Sequence, residues 1–167
     1  MVDIKKQKKD LENVESILKK SNNKYNWIDL PIGKNEKKPV IITSCTYKKR
    51  VYDVIISAQY WKGVDDWACM RCYVFNTKNL PDDKLIDVYR LCLSLNFSIP
   101  ETTFSISNDF VYLECDMPFD ISSDDFAFEV KGLELGVGNF VENMLKLGLE
   151  PSPTAGEIRS KKLSYIS

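Results

Sequence analysis

The chain has 167 residues, 44% of them hydrophobic and 28% charged, with a net charge of −1 and a pI near 5.6. This is the composition of one globular domain that folds without staples, and it argues against nucleic acid as the default partner, because phosphate binding needs clustered, unopposed Lys and Arg. The chain contains no histidine, which excludes Ser-His-Asp and Cys-His nucleophile systems and zinc sites with imidazole ligands.

Residues 3–20 read as a helix. Ile4, Leu11, Val14, Ile17 and Leu18 recur at three- and four-residue spacing and form one narrow apolar stripe. A stripe this narrow is expected to lie on a surface and pack against a partner. Residues 24–38 read as a loop with one short extended piece, Tyr25 to Leu30, punctuated by Pro31 and Gly33. Three strands follow: Val40 to Tyr47, Val51 to Trp61, and Trp67 to Asn76. Polar turns at Lys48–Arg50 and Lys62–Asp66 join them, which predicts an antiparallel meander.

Leu80-Pro81-Asp82-Asp83 opens a second helix, with proline and acids in its first turn. Leu85, Ile86, Val88, Tyr89, Cys92, Leu93 and Leu95 are apolar on more than one side, so this helix is expected to be largely buried. Ile99-Pro100 stops it. Thr103 to Ser107 and Phe110 to Met117 form a hairpin around Asn108-Asp109. Its second strand alternates, with Val111, Leu113, Cys115 and Met117 on one face and Tyr112, Glu114 and Asp116 on the other. Ser122 begins a third helix, with Asp124 and Asp125 in its first turn. Gly132, Gly136 and Gly138 are expected to weaken that helix or to let another backbone approach it closely. Residues 150–167 carry two prolines and no periodic pattern, and read as a mobile tail. The expected fold class is therefore α+β: one domain over residues 1–149, with an antiparallel sheet of five strands and three helices in the order α-β-β-β-α-β-β-α.

No segment reaches the ~18 apolar residues of a membrane span, and the Lys-rich N-terminus lacks a signal-peptide h-region. Five cysteines, Cys45, Cys69, Cys72, Cys92 and Cys115, are scattered through apolar runs. An odd, scattered count fits reduced thiols, so a cytoplasmic location is expected.

The segment from Pro81 to Met144 carries a resemblance. A helix with a long aliphatic face (Leu85 to Phe97) passes into the hairpin Phe104 to Phe119, and a final helix begins after Asp120-Ile-Ser-Ser-Asp-Asp-Phe. In this order the chain resembles the class I type III secretion chaperones and the related YbjN-like proteins, over about residues 5–146. The Lys-rich loop at 34–50, the tail after 150 and the glycines of the last helix depart from that pattern. The resemblance implies a homodimer packed through helix and sheet, no cofactor, and binding of other polypeptides. It is a likeness of fold and carries no catalytic residues over.

Cys69-Met70-Arg71-Cys72 is the sharpest chemical motif. On a strand, residues three apart point to opposite faces, so Cys69 shares a face with Trp67, Arg71, Tyr73 and Phe75, and Cys72 shares the other with Ala68, Met70 and Val74. That geometry opposes a redox or metal pair, and the second C-x-x-C of a zinc site is missing. Glu114 and Asp116 read as a solvated strand face, and Asp120, Asp124 and Asp125 read as helix N-terminal acids rather than a calcium loop. The glycine-rich stretch of the last helix lacks the Lys-Ser/Thr of a phosphate loop.

Charge is distributed unevenly. Residues 101–150 hold eleven acids and two bases, and residues 31–50 hold six bases and one acid. Such asymmetry favours electrostatic docking to a partner or between copies. The expected function is a non-enzymatic protein-binding module of adaptor or chaperone-like type, with no cofactor, no metal, no nucleic acid and no membrane. Its expected contacts are Leu11, Val14 and Leu18 on the first helix and Tyr60, Trp61 and Trp67 at one turn. The alternatives are a thiol-dependent enzyme or redox sensor using Cys69 and Cys72, and a small-molecule sensor with an apolar pocket under the sheet.

Overall fold

The fold is described by a computed structural model for residues 3–31, 36–60 and 66–150. The class is α+β. Ten elements follow one another: α1 (Ile4–Asp10), α2 (Glu12–Lys20), β1 (Asn26–Pro31), β2 (Lys37–Tyr47), β3 (Arg50–Gln59), β4 (Trp67–Asn76), α3 (Asp82–Ser98), β5 (Thr103–Ser107), β6 (Phe110–Pro118) and α4 (Ser123–Lys146). The strands form one antiparallel sheet in the order β1-β2-β3-β4-β6-β5.

Two counts differ from the sequence reading, which expected five strands and three helices. The extended piece after Tyr25 pairs with β2, Asn26 opposite Ile42 through Pro31 opposite Lys37, and adds a sixth strand. The first helix breaks at Leu11, whose φ of −92° and ψ of 0° leave the α region, so that α1 and α2 are separate helices. The buried stripe begins at the break, with Leu11, Val14, Ile17 and Leu18 buried and Ile4 of α1 exposed. Asp3 caps α1 by accepting from the Lys5 amide, and Asn13 of α2 donates to the carbonyls of Phe119 and Ile121 at 3.0 and 2.9 Å. Those two bonds tie α2 to the β6–α4 connection.

Turn chemistry decides the hairpins. Asn108 and Asp109 take φ of 49° and 66°, the two positive values a type I′ turn requires, and join Ser107 to Phe110. Lys48, with φ of 51°, closes the β2–β3 hairpin with Lys49, so Arg50 starts the next strand opposite Tyr47. Ser122 caps α4 by accepting from the Asp125 amide. The helix ends where Gly148 takes φ of 71° and the Leu149 amide returns to the Met144 carbonyl, the left-handed stop that glycine allows.

The main core lies between one face of the sheet and the helices. Leu11, Val14, Ile17 and Leu18 meet Ile41, Cys45, Val54, Ile56, Met70 and Cys72, and the same cluster takes in Val88, Cys92 and Leu95 of α3 and Leu133, Val137 and Phe140 of α4. A smaller cluster on the other sheet face joins Leu30, Val40, Ile42, Ile55, Tyr73 and Tyr112. The alternation expected for β6 holds: Val111, Leu113, Cys115 and Met117 enter the main core, and Tyr112 enters the second cluster. In β4 a register shift between Tyr73 and Phe75 interrupts the alternation, so Val74 and Phe75 both enter the main core. Phe75 therefore leaves the face that it was expected to share with Cys69.

Close approach by side chains, not by another backbone, explains two of the helical glycines. A Cβ on Gly138 would stand 2.7 Å from Cε2 of Tyr47, and one on Gly136 would overlap the Leu113 side chain. Both positions let α4 sit directly on the sheet.

Candidate functional site

The residues expected to meet a partner are distributed between core and surface. Leu11, Val14 and Leu18 are buried at 0%, 0% and 1% exposure. The stripe was expected to lie open to a partner; from Leu11 to Leu18 it is instead filled by the sheet of the same chain, while Ile4 of α1 stays exposed. Tyr60 is half-buried. Its hydroxyl donates to Asp10 Oδ2 at 2.8 Å, the Lys6 ammonium stands 4.3 Å from its ring centre, and Phe119 lies 6.2 Å away on another side. It serves as a strut between α1, the end of β3 and the β6–α4 connection. Trp67 is half-buried at the start of β4, opposite Gln59 and Pro118. Trp61 lies outside the described residues.

Cys69 and Cys72 point to opposite faces, as their strand spacing requires. Cys72 enters the main core with its Sγ 3.7 Å from that of Cys45, and Cys69 lies across the sheet in a row with Ser57 and Asp116. All five thiols are free and buried. Burial pushes Cys69 and Cys92 up to about 12, and Cys72 is raised by its hydrogen bond with Cys45 and by burial. Cys69, Cys72 and Cys92 therefore hold little thiolate at neutral pH, and the buried thiols have the character of core side chains rather than nucleophiles.

The polar groups on the second sheet face are organised around Glu114. Arg71 Nη2 donates to Glu114 Oε2 at 3.1 Å, Arg71 Nε stands 3.1 Å from Oε1, and Ser105 donates to the same carboxylate. Glu114 is thus an ion-pair partner, not one of a pair of solvated acids. Lys38 on the same face is only 9% exposed, and burial lowers its ammonium to about 8. At the other end of the sheet, Lys48 pairs with Glu142, which also accepts from the Tyr47 hydroxyl at 3.0 Å. The basic β2–β3 turn and the acidic α4 therefore meet within one molecule. Asp125 accepts from the Ser122 hydroxyl at 2.7 Å and completes a helix cap.

Two further surfaces remain, the second at the place where one alternative expected an apolar pocket under the sheet. The first is on α3. Its inner face, Val88, Cys92 and Leu95, enters the core, while Ile86, Tyr89, Leu93 and Phe97 form a second stripe exposed to solvent, with Leu93 at 64% and Phe97 at 96%. The helix was expected to be largely buried; Ile86, Tyr89, Leu93 and Phe97 instead face water. Phe128 and Leu135 of α4 are exposed as well, at 61% and 54%. The signal was present in the spacing: two interleaved stripes on one helix mean either burial all round or one stripe left for another molecule.

The second surface is a cleft of about 170 Å³ between α2, β2 and α4. Leu18, Cys45, Val54, Met70, Phe126 and Leu133 give it apolar walls, and Asn23, Thr43, Ser44, Thr46 and Glu134 add polar groups.

No protein-family model matches this sequence, and no curated protein matches it. Among the described residues, no helix is long and apolar enough to cross a membrane.

Proposed function

We propose that the protein is a non-enzymatic protein-binding module, and that its main docking face is the outer stripe of α3. The observation that carries this reading is the pair Leu93 and Phe97, one helical turn apart and exposed at 64% and 96%. Ile86 and Tyr89 extend the stripe along the same face at helical spacing. Isolated exposed apolar residues are ordinary, but a contiguous stripe marks an interaction surface. Aromatic side chains on a rigid helix are the usual anchors of such surfaces. Helix α3 is held firmly: the Asn96 amide group donates to the Phe104 carbonyl at 3.1 Å and accepts from the Phe104 amide at 2.6 Å, which pins the last turns of α3 to β5.

The partner is a polypeptide with an apolar face of its own. The likeness to secretion chaperones adds a second copy of this chain as one such partner. The redox alternative draws no support from the arrangement of Cys69 and Cys72, which lie on opposite sides of the sheet.

A photo-crosslinking residue in place of Phe97 tests the reading. In lysate of the source organism, a discrete adduct is expected, its mass giving either a second copy or another polypeptide. Absence of any discrete adduct, with the same probe at an exposed control position equally silent, removes α3 as a docking face.

A further inference from the structure

Strand β2 is paired on its two sides over different lengths. On one side β1 covers it only from Lys37 to Ile42, and on the other β3 covers Ile41 to Tyr47. Residues 43–47 are therefore a sheet edge. The β2–β3 hairpin closes around a two-residue turn, so Tyr47 and Arg50 exchange both main-chain hydrogen bonds, and the pairs Cys45–Tyr52 and Thr43–Val54 follow in alternation. Ser44 and Thr46 then direct their N–H and C=O groups away from β3, toward the open side. Both residues are exposed, and among the described residues no main-chain partner reaches them. The opposite edge of the sheet is treated differently, since the Asn96 side chain bonds both main-chain groups of Phe104 there.

The cleft lies against this same edge. Thr43, Ser44, Cys45 and Thr46 line it from β2, and Phe126, Val130, Leu133 and Glu134 line it from α4. Edges with unpaired main-chain groups accept an added strand, and a neighbouring pocket selects its side chains. A volume near 150 Å³ holds a benzene ring, so the cleft holds one aliphatic or aromatic side chain. Glu134 at this cleft has no ion-pair partner among the described residues.

We infer that the groove between the Ser44–Thr46 edge and α4 takes an extended polypeptide segment by strand addition. The segment carries one apolar side chain that enters the cleft and a basic residue that faces Glu134. The inference rests on the reading of the protein as a protein-binding module, but it uses a surface distinct from the outer stripe of α3.

A bead-displayed hexapeptide library screened against the full-length chain tests it. Enrichment of extended sequences with one apolar position and a neighbouring Lys or Arg is expected. An enriched peptide should slow hydrogen exchange at the Ser44 and Thr46 amides, and N-methylation of its alternate amides should abolish binding. Thr46→Pro, which removes one edge donor, should also abolish it, with the melting temperature of the variant reported alongside. Enriched peptides that protect α3 instead, or that bind equally after N-methylation, overturn strand addition while leaving the proposed function standing. A library that enriches nothing overturns the groove, and the Phe97 crosslink then decides the module reading separately.

Discussion

The sulfur atoms of Cys45 and Cys72 lie 3.7 Å apart although their strands are not neighbours, β3 running between them. Cys69 and Cys72, only three residues apart in sequence, share no face. Sequence proximity and chemical proximity are thus inverted among the thiols of this chain. Two strand spacings separate Cys45 and Cys72 by about 9.5 Å of backbone, beyond the 4.4–6.8 Å that a disulfide spans without backbone movement. Mild oxidation of the native protein is therefore expected to form no disulfide, and intact mass under non-reducing conditions checks it. A mass lower by two hydrogen atoms in the folded monomer, the two electrons having gone to the added oxidant, would contradict this.

All five thiols should also react slowly with a thiol reagent at pH 8, because all five are buried; in addition, burial raises Cys69 and Cys92 to about 12 and raises Cys115, and the hydrogen bond with Cys45 together with burial raises Cys72. Five equivalents are expected to react rapidly after denaturation. One fast thiol in the native state would reopen a redox role.

Lys38 gives stability a pH dependence of defined sign. Its folded-state ammonium is lowered to about 8 from the ordinary 10.5 by burial. Between those values the unfolded chain binds more protons at this site, so its contribution to stability rises with pH across that window. Below about pH 8 the folded protein carries the full cost of a buried charge. Lys38→Met should therefore stabilise the protein at neutral pH by roughly 1–3 kcal/mol, and the advantage should shrink between pH 8 and 10.5. Urea unfolding of both proteins at several pH values reads the difference. The raised thiols act in the opposite sense, losing stability as pH rises above their ordinary 9.0.

Two substitutions on helices separate core from surface. Val14→Asp places a charge at a fully buried position and should prevent stable folding, because an unpaired buried carboxylate costs several kcal/mol. Phe97→Ser, at 96% exposure, should change stability by no more than about 0.5 kcal/mol. Thermal melts of the two variants test the contrast.

Gly138→Ala should cost about 1–3 kcal/mol, because its methyl would stand 2.7 Å from the Tyr47 ring and force α4 or the β2–β3 turn to shift. Gly148→Ala should cost less, as only its backbone angle of 71° resists a side chain and no atom lies within 4 Å. The order of the two effects in chemical denaturation is the expected outcome.

Much of the fold was legible. Alternation placed β6 correctly, the Asn108-Asp109 pair set its hairpin, and Ser122 marked the start of α4. Strand β1 was hidden because Asn26 to Pro31 is short and half-exposed, and only pairing with β2 makes it a strand. The break at Leu11 left no mark, since the apolar spacing runs through it. The candidate surfaces were less legible. A stripe of apolar residues in α1 and α2 and a two-sided pattern in α3 look alike in sequence, and only the packing shows which one the sheet consumes. The β2 edge depends on where β1 stops, a property of two strands together that neither segment encodes alone.

The most direct test of the docking face is a paired affinity capture with the wild-type chain and with a Leu93→Asp/Phe97→Asp variant, each verified as folded by circular dichroism. One polypeptide is expected to be held in stoichiometric amount by the wild type, whether a second copy or another protein, and lost from the variant. Equal capture by both chains would contradict α3 as the docking face.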